Sequence, residues 1–280
     1  MPELHVNGVR IYYEEAGQGF PLVLLHPWPT DHAMWMLQIP VFSEDYRVIT
    51  PDSRGLGDSE KTPSGYEVKT LSDDVEGLLD KLGIERAFIV GNSLGGVVAE
   101  RFTIDHPERV QATIWIGAPT FQYGELVVDA GPWKDRPFAQ AYLGALKTKG
   151  YLHFWETVWK PTMPNQFHES FVKTNIGSYL VSYLFEERYA RLNRDPRGVI
   201  EVLEGLLKEE CLDGYLAKSK VPAAIICGDA DDTRPWCERQ HRAIPDAEYL
   251  VIKNSGHFCY LDQPGTFNGF MAEFLQRTSA

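Results

Sequence analysis

Short apolar runs bounded by turn residues recur along this chain, and they restrict its fold more than any other feature. They lie at Pro21-Leu22-Val23-Leu24-Leu25, Tyr46-Arg47-Val48-Ile49-Thr50, Ala87-Phe88-Ile89-Val90, Thr113-Ile114-Trp115-Ile116, Ala223-Ala224-Ile225-Ile226-Cys227 and Ala247-Glu248-Tyr249-Leu250-Val251-Ile252. Each is too short for a helix, and a run apolar on both faces needs cover on both. Between them, Leu71 to Leu82, Leu94 to His106 and Gly265 to Gln276 repeat apolar residues every three or four positions, the helical period. Strand and helix alternate, so the expected class is α/β: a mostly parallel twisted sheet with helices on both faces. His5 to Arg10, turning at Asn7-Gly8, and Ile11 to Ala16 add a hairpin at the start.

The alternation stops between Thr120 and about Leu212, where convincing strands are lacking and aromatics crowd: Phe121, Trp133, Phe138, Tyr142, Tyr151, Phe154, Trp155, Trp159, Phe167, Phe171, Tyr179, Tyr183 and Phe185. We read residues 1–119 and 213–280 as one core and residues 120–212 as a helical cap inserted over it. Most of these rings are expected to pack the cap's own helices, while a few line whatever lies beneath, with Trp28, Trp133, Trp155 and Trp159 as candidate substrate contacts. No linker interrupts the 280 residues, and 44% hydrophobic content suffices for a sizeable core.

A net charge of −12 repels polyanions on average, so nucleic acid is not an expected partner. The start, Met1-Pro2-Glu3-Leu4-His5-Val6, lacks a basic and an apolar signal region, and no run approaches a membrane span, so a cytoplasmic location without membrane attachment is expected. Cys211, Cys227, Cys237 and Cys259 form no Cys-x-x-Cys pair, which fits reduced thiols rather than a disulfide frame or zinc site. Monomer and homodimer both remain open.

Chemistry concentrates at Gly91-Asn92-Ser93-Leu94-Gly95-Gly96, directly after one strand and before one helical pattern. A serine on such a turn projects Oγ beyond the sheet's carboxyl edge, and the helix start offers N–H groups to an oxyanion. Serine is a weak nucleophile without a base. His257, in the loop after the last strand, is better placed for that task than His26, His32, His106 or His241. An acid must orient the imidazole. Asp229, Asp231 and Asp232 compete after the strand ending at Cys227, and Asp231, in the turn, is the choice, giving the chain order Ser93, Asp231, His257. Two main-chain donors would hold the oxyanion: Leu94, and Trp28 within His26-Pro27-Trp28-Pro29, where neither proline has an N–H. The Trp28–Pro29 bond is a candidate cis peptide.

Together these residues resemble the α/β-hydrolase superfamily over nearly the whole chain outside the cap. Asp52-Ser53-Arg54-Gly55-Leu56-Gly57-Asp58-Ser59 looks like its Asp-x-Arg-Gly-x-Gly-x-Ser turn, and residues 26–29 like its His-Gly-x-Pro loop, with Pro27 in place of glycine. Ser93 argues against the haloalkane dehalogenase and epoxide hydrolase branches, which carry aspartate at the elbow; Thr30-Asp31-His32-Ala33-Met34-Trp35 and Gln38-Ile39 are similar to the enol-lactonase and small-ester branch. The resemblance implies a carboxylesterase or lactonase that works through an acyl-enzyme, chemistry that requires no cofactor and no metal, and the aromatic cap suggests a small to medium, largely apolar substrate. Two alternatives stand beside it. One is a hydrolase of carbon–carbon bonds in a β-diketone or a vinylogous product of ring cleavage, in which Arg54, Lys134, Arg136 or Arg188 would hold a carboxylate, although surface solvation is expected for each; the other is a ligand receptor that keeps the triad.

Overall fold

Eight strands build one sheet in the order β1-β2-β4-β3-β5-β6-β7-β8. The structure is a computed structural model and describes residues 3–118, 137–162 and 166–279. The strands are β1 (Glu3–Val6), β2 (Val9–Ala16), β3 (Phe20–Leu25), β4 (Tyr46–Pro51), β5 (Ala87–Asn92), β6 (Val110–Ile116), β7 (Ala223–Gly228) and β8 (Glu248–Ile252). The first two form the expected hairpin, with Asn7 and Gly8 both at positive φ, and pair antiparallel; β3 to β8 run parallel. Every residue of β5 and β7 is buried, as their uninterrupted apolar sequences require.

Helices α1 (Val68–Lys81) and α2 (Leu94–Asp105) flank β5, and α2 sits directly on β3, β5 and β6. Between β6 and β7 the described residues hold only helical elements, including α3 (Pro137–Phe154), broken at Gly150 where φ is 79° and ψ −179°, and α4 (Arg197–Leu206). Two stretches here, Trp155–Trp159 and Ser182–Arg188, wind as π-helix, which shifts the apolar repeat away from the ordinary period. After β7 come α5 (Arg234–Ala243), a helix that the sequence pattern did not announce, and α6 (Pro264–Arg277). Of the described residues, no helix is long and apolar enough to cross a membrane.

Register aligns the strand ends. Leu25 pairs with Gly91, Asn92 with Ile116, Ile116 with Ile226, and Gly228 with Ile252. The loops that follow β3, β5, β6, β7 and β8 therefore open along one edge, which is where ligands meet an open parallel sheet.

Candidate active site

The turn after β5 is sharp because main chain is packed against main chain. Ser93 takes φ 53° and ψ −117°, a conformation costly for any residue with a Cβ. Its N–H donates to Ile116 O at 2.8 Å, which fixes the turn to the neighbouring strand. A Cβ on Gly91 would strike the Gly95 carbonyl, and one on Gly95 would meet Leu25 O and lie 2.8 Å from His26 O. Glycine is thus required where α2 begins, and the same contacts press the helix start against the loop that leaves β3.

One residue beyond Ile116, Gly117 turns with φ 53°, and a Cβ there would lie 2.8 Å from His257 Nδ1 and 2.9 Å from Asp231 Oδ2. The imidazole and the carboxylate therefore rest over the end of β6, beside the strand whose end carries Ser93. Asn92, next to Ser93, directs its side-chain N–H toward the main-chain carbonyl of His257 at 3.4 Å and donates to Ile116 O at 2.9 Å. His257 Nδ1 lies 3.0 Å from Asp231 Oδ2, and Asp231 Oδ1 accepts the Thr233 N–H at 2.8 Å. Nδ1 is thus the ring nitrogen turned to the carboxylate, and Nε2 is the one left to face another partner. Of the three aspartates, Asp231 is buried and faces the histidine, whereas Asp229 and Asp232 are exposed; Asp229 braces the loop by accepting the Ser255 N–H.

Trp28 and Leu94 belong to the two segments that Gly95 brings together. Among the described residues, no protein acceptor takes the main-chain N–H of either one. The Trp28–Pro29 bond is cis. Pro27, the departure from the family's glycine, offers its carbonyl to Thr30 N at 3.1 Å and to Thr30 Oγ1 at 2.6 Å, closing the turn. His26 is neutral: Nε2 accepts the Ser53 N–H at 3.0 Å, so Nδ1 donates to Pro27 O at 2.9 Å, and burial pushes its pKa down. It ties the loop to the turn at residues 52–59 and takes no part as a base.

That turn is itself a brace. Asp52 accepts the His32 main-chain N–H and Nδ1, both at 2.8 Å, and the Asp58 N–H at 2.8 Å. Asp31, His32 and Asp52 cluster closely enough to suggest a metal site, but their lone pairs are spoken for by these donors and by Arg188, whose Nε donates to Asp31 at 2.6 Å and whose Nη2 lies 3.1 Å from His32 Nε2. The guanidinium already fills the place of a cation. Burial, then the Asp52 carboxylate, raise the Asp31 pKa to about 6 against the pull of Arg188 and His32.

This corrects the expectation of solvated arginines. Arg188 is paired with Asp31, and Arg54 forms a buried two-pronged pair with Asp74 at 2.5 Å on both arms. Lys134, Arg136 and the candidate contact Trp133 lie outside the described residues. Trp155 and Trp159 are buried: Trp155 stacks on Phe185 at 5.3 Å, while Trp159 meets Trp28 at 6.0 Å. Sequence reading also passed over Asp262. Its Oδ2 accepts the Gly256 N–H at 2.7 Å and the His168 N–H at 2.9 Å, joining the His257 loop to the segment between β6 and β7. Burial raises its carboxyl to about 7. Its position five residues after the histidine, directly behind the apolar Phe258-Cys259-Tyr260-Leu261 stretch, was the one available signal.

An elbow serine, a histidine backed by a buried carboxylate, and two open N–H groups on one sheet edge are the parts of an α/β-hydrolase site. The sequence model of the alpha/beta hydrolase fold matches residues 21–264, and the chain belongs to that family. It is 43% identical over 270 residues to a soluble epoxide hydrolase of Corynebacterium sp. (strain C12), covering 92% of this chain and 91% of that one. Among solved structures it is similar to an esterase from Exiguobacterium antarcticum (25% identity, TM-score 0.81, 98% of each chain). The enol-lactonase from Burkholderia xenovorans LB400 shares the fold at 22% identity and TM-score 0.82, covering 98% of this chain and 100% of that one. Hydrolysis is the activity this kinship carries.

Proposed function

We propose that the chain is a serine hydrolase that cleaves a carboxyl ester or lactone of a small to medium, largely apolar substrate through an acyl-enzyme. The observation that carries this reading is the His257–Asp231 pair at 3.0 Å, seated over Gly117 beside the Ser93 turn. Ser93 attacks the carbonyl carbon, and His257 Nε2 takes the hydroxyl proton and returns it to the leaving oxygen. Water then repeats the sequence to release the acid. Asp231 holds the imidazole in the right tautomer and stabilises the imidazolium. The N–H groups of Trp28 and Leu94 receive the oxyanion, with α2 adding the positive end of its dipole. The rings of Trp28, Tyr142, Phe154 and Trp159 form a continuous apolar body that suits an acyl group with little charge.

The Corynebacterium relative favours a second reading, epoxide hydrolysis. Chemistry weighs against it at this elbow. A carboxylate that opens an epoxide leaves an ester, which water can cleave; a serine that opens one leaves an alkyl ether, which His257 and water cannot. Carbonyl substrates return Ser93 to its starting state, and epoxides do not.

The test is a panel of p-nitrophenyl esters, lactones, a β-diketone and styrene oxide with the purified protein and Ser93→Ala. Turnover of an ester or lactone that disappears in Ser93→Ala is expected. Turnover of the epoxide or the diketone alone would overturn the assignment.

A further inference from the structure

The loop carrying Trp28 is held at its two ends by the sheet and in its middle by the cap. At the ends, His26 is tied to Ser53 and His32 to Asp52. Across residues 28–31, the hydrogen bonds that reach the loop from more than a few residues away come, among the described residues, from the segment between β6 and β7. Trp28 Nε1 donates to Val199 O at 2.8 Å, Asn193 Nδ2 donates to Pro29 O at 3.2 Å, and Arg188 Nε donates to Asp31 at 2.6 Å. The indole ring lies against Tyr142, Phe154 and Trp159 of the same segment. With proline on both sides, Trp28 offers the one N–H between His26 and Thr30. That N–H shares the peptide plane of the Pro27 carbonyl, which His26 Nδ1 and Thr30 hold from within the loop, while the contacts from the segment between β6 and β7 grip the indole and the Pro29 carbonyl just beyond it.

We propose that the cap seats the oxyanion donor: Asn193, Arg188 and the Val199 carbonyl are positioning groups that hold the turn carrying the Trp28 N–H in place against the reacting carbonyl. The inference rests on the reading of Trp28 as an oxyanion donor. The hydrogen bonds of Asn193 and Arg188 go to Pro29, Asp31 and His32 and not to Ser93 or His257, and the pairing of Arg188 with Asp31 and His32 disfavours it as a ligand for a substrate carboxylate. A donor that must meet the oxyanion within hydrogen-bond reach loses most of its effect when displaced by a fraction of an ångström, whereas the substrate's apolar contacts are little altered. Loosening the clamp therefore lowers kcat and leaves KM nearly unchanged.

The experiment compares Asn193→Ala and Trp28→Phe with the wild-type protein. The phenylalanine keeps a ring and the main-chain N–H while losing the bond to Val199 O, so a folding failure in the first variant leaves the second to decide. For p-nitrophenyl butyrate, kcat is expected to fall about 10-fold or more in each, with KM within about 2-fold. Inhibition by phenylboronic acid, a mimic of the tetrahedral species, weakens in parallel, while inhibition by butyrate does not. Unchanged kcat in both folded variants overturns the inference, as does an equal rise in KM with no change in the boronate-to-butyrate ratio. Failure of the wild-type protein to turn over any ester would instead remove the reading beneath it, and the two failures are told apart in the same assay.

Discussion

The two halves of this candidate site are built by different means. Around Ser93, geometry is enforced by main chain pressed on main chain: Gly91 on Gly95, Gly95 on Leu25 and His26, Ser93 N–H on Ile116 O, and Gly117 beneath the His257–Asp231 pair. Among the described residues, none of the segment between β6 and β7 takes part in the contacts just named. Around Trp28, the middle of the loop hangs on side chains from residues 188 to 193 and on the carbonyl of Val199. The Ser93 turn is fixed within the sheet by sterics, whereas the Trp28 loop, and through Asp262 and Phe258 also the His257 loop, lean on the segment between β6 and β7, so on the proposed reading these are the parts open to adjustment when substrate enters.

The largest effect expected on the sterically built half comes from Asp231→Asn. It keeps the shape and the Thr233 contact but favours the wrong tautomer of His257, so kcat should drop on the order of 10³–10⁴-fold with the melting temperature nearly unchanged. Ester turnover and a thermal melt decide it; a drop below about 10-fold would mean that Asp231 does not orient the base. Gly117→Ala comes next. Its methyl would meet His257 Nδ1 and Asp231 Oδ2 at 2.8 and 2.9 Å from a backbone at φ 53°. We expect about 10²-fold loss of kcat together with about 1–2 kcal/mol of stability, read from kinetics and urea melts on the same preparation. Full activity in that variant would show that the pair has room to move and that sterics do not hold it.

The remaining effect, which needs no change in turnover, concerns Asp262, which joins the histidine loop to the segment between β6 and β7. Its carboxyl is raised from 3.8 to about 7, chiefly by burial. The folded protein thus keeps a proton that the unfolded chain has released, so this group's contribution is full below the unfolded value and is lost as pH rises through the folded one. Wild-type stability should therefore fall relative to Asp262→Asn between about pH 4 and about pH 7 and level off above that, by at most about 4 kcal/mol. Melts across that range check it, and parallel profiles for the two proteins would contradict it.

What sequence could disclose follows the same division. Ser93 was legible because strand, turn and helix are adjacent along the chain, and His257 and Asp231 because each follows a strand whose apolar run announces its end. The sheet edge then supplied their meeting. The clamp was not legible, since Asn193 reaches Pro29 across 164 positions and Arg188 reaches Asp31 across 157, and nothing local marks either as other than a surface polar residue. The interior of the cap was equally opaque: two π-helical stretches and the break at Gly150 displace the apolar repeat from which helices are read. α5 was hidden because Arg234-Pro235-Trp236-Cys237 looks like the rest of a polar loop, although proline in a first helical turn is a start signal.

The proposal that Ser93 is an activated nucleophile meets its most direct test in covalent labelling with a fluorophosphonate, read by intact mass and peptide mapping on the wild-type protein, Ser93→Ala and His257→Ala. One adduct per chain on Ser93, absent in Ser93→Ala and formed far more slowly in His257→Ala, is the expected result. Folded wild-type protein that stays unlabelled, or labelling that proceeds as fast without His257, would contradict it.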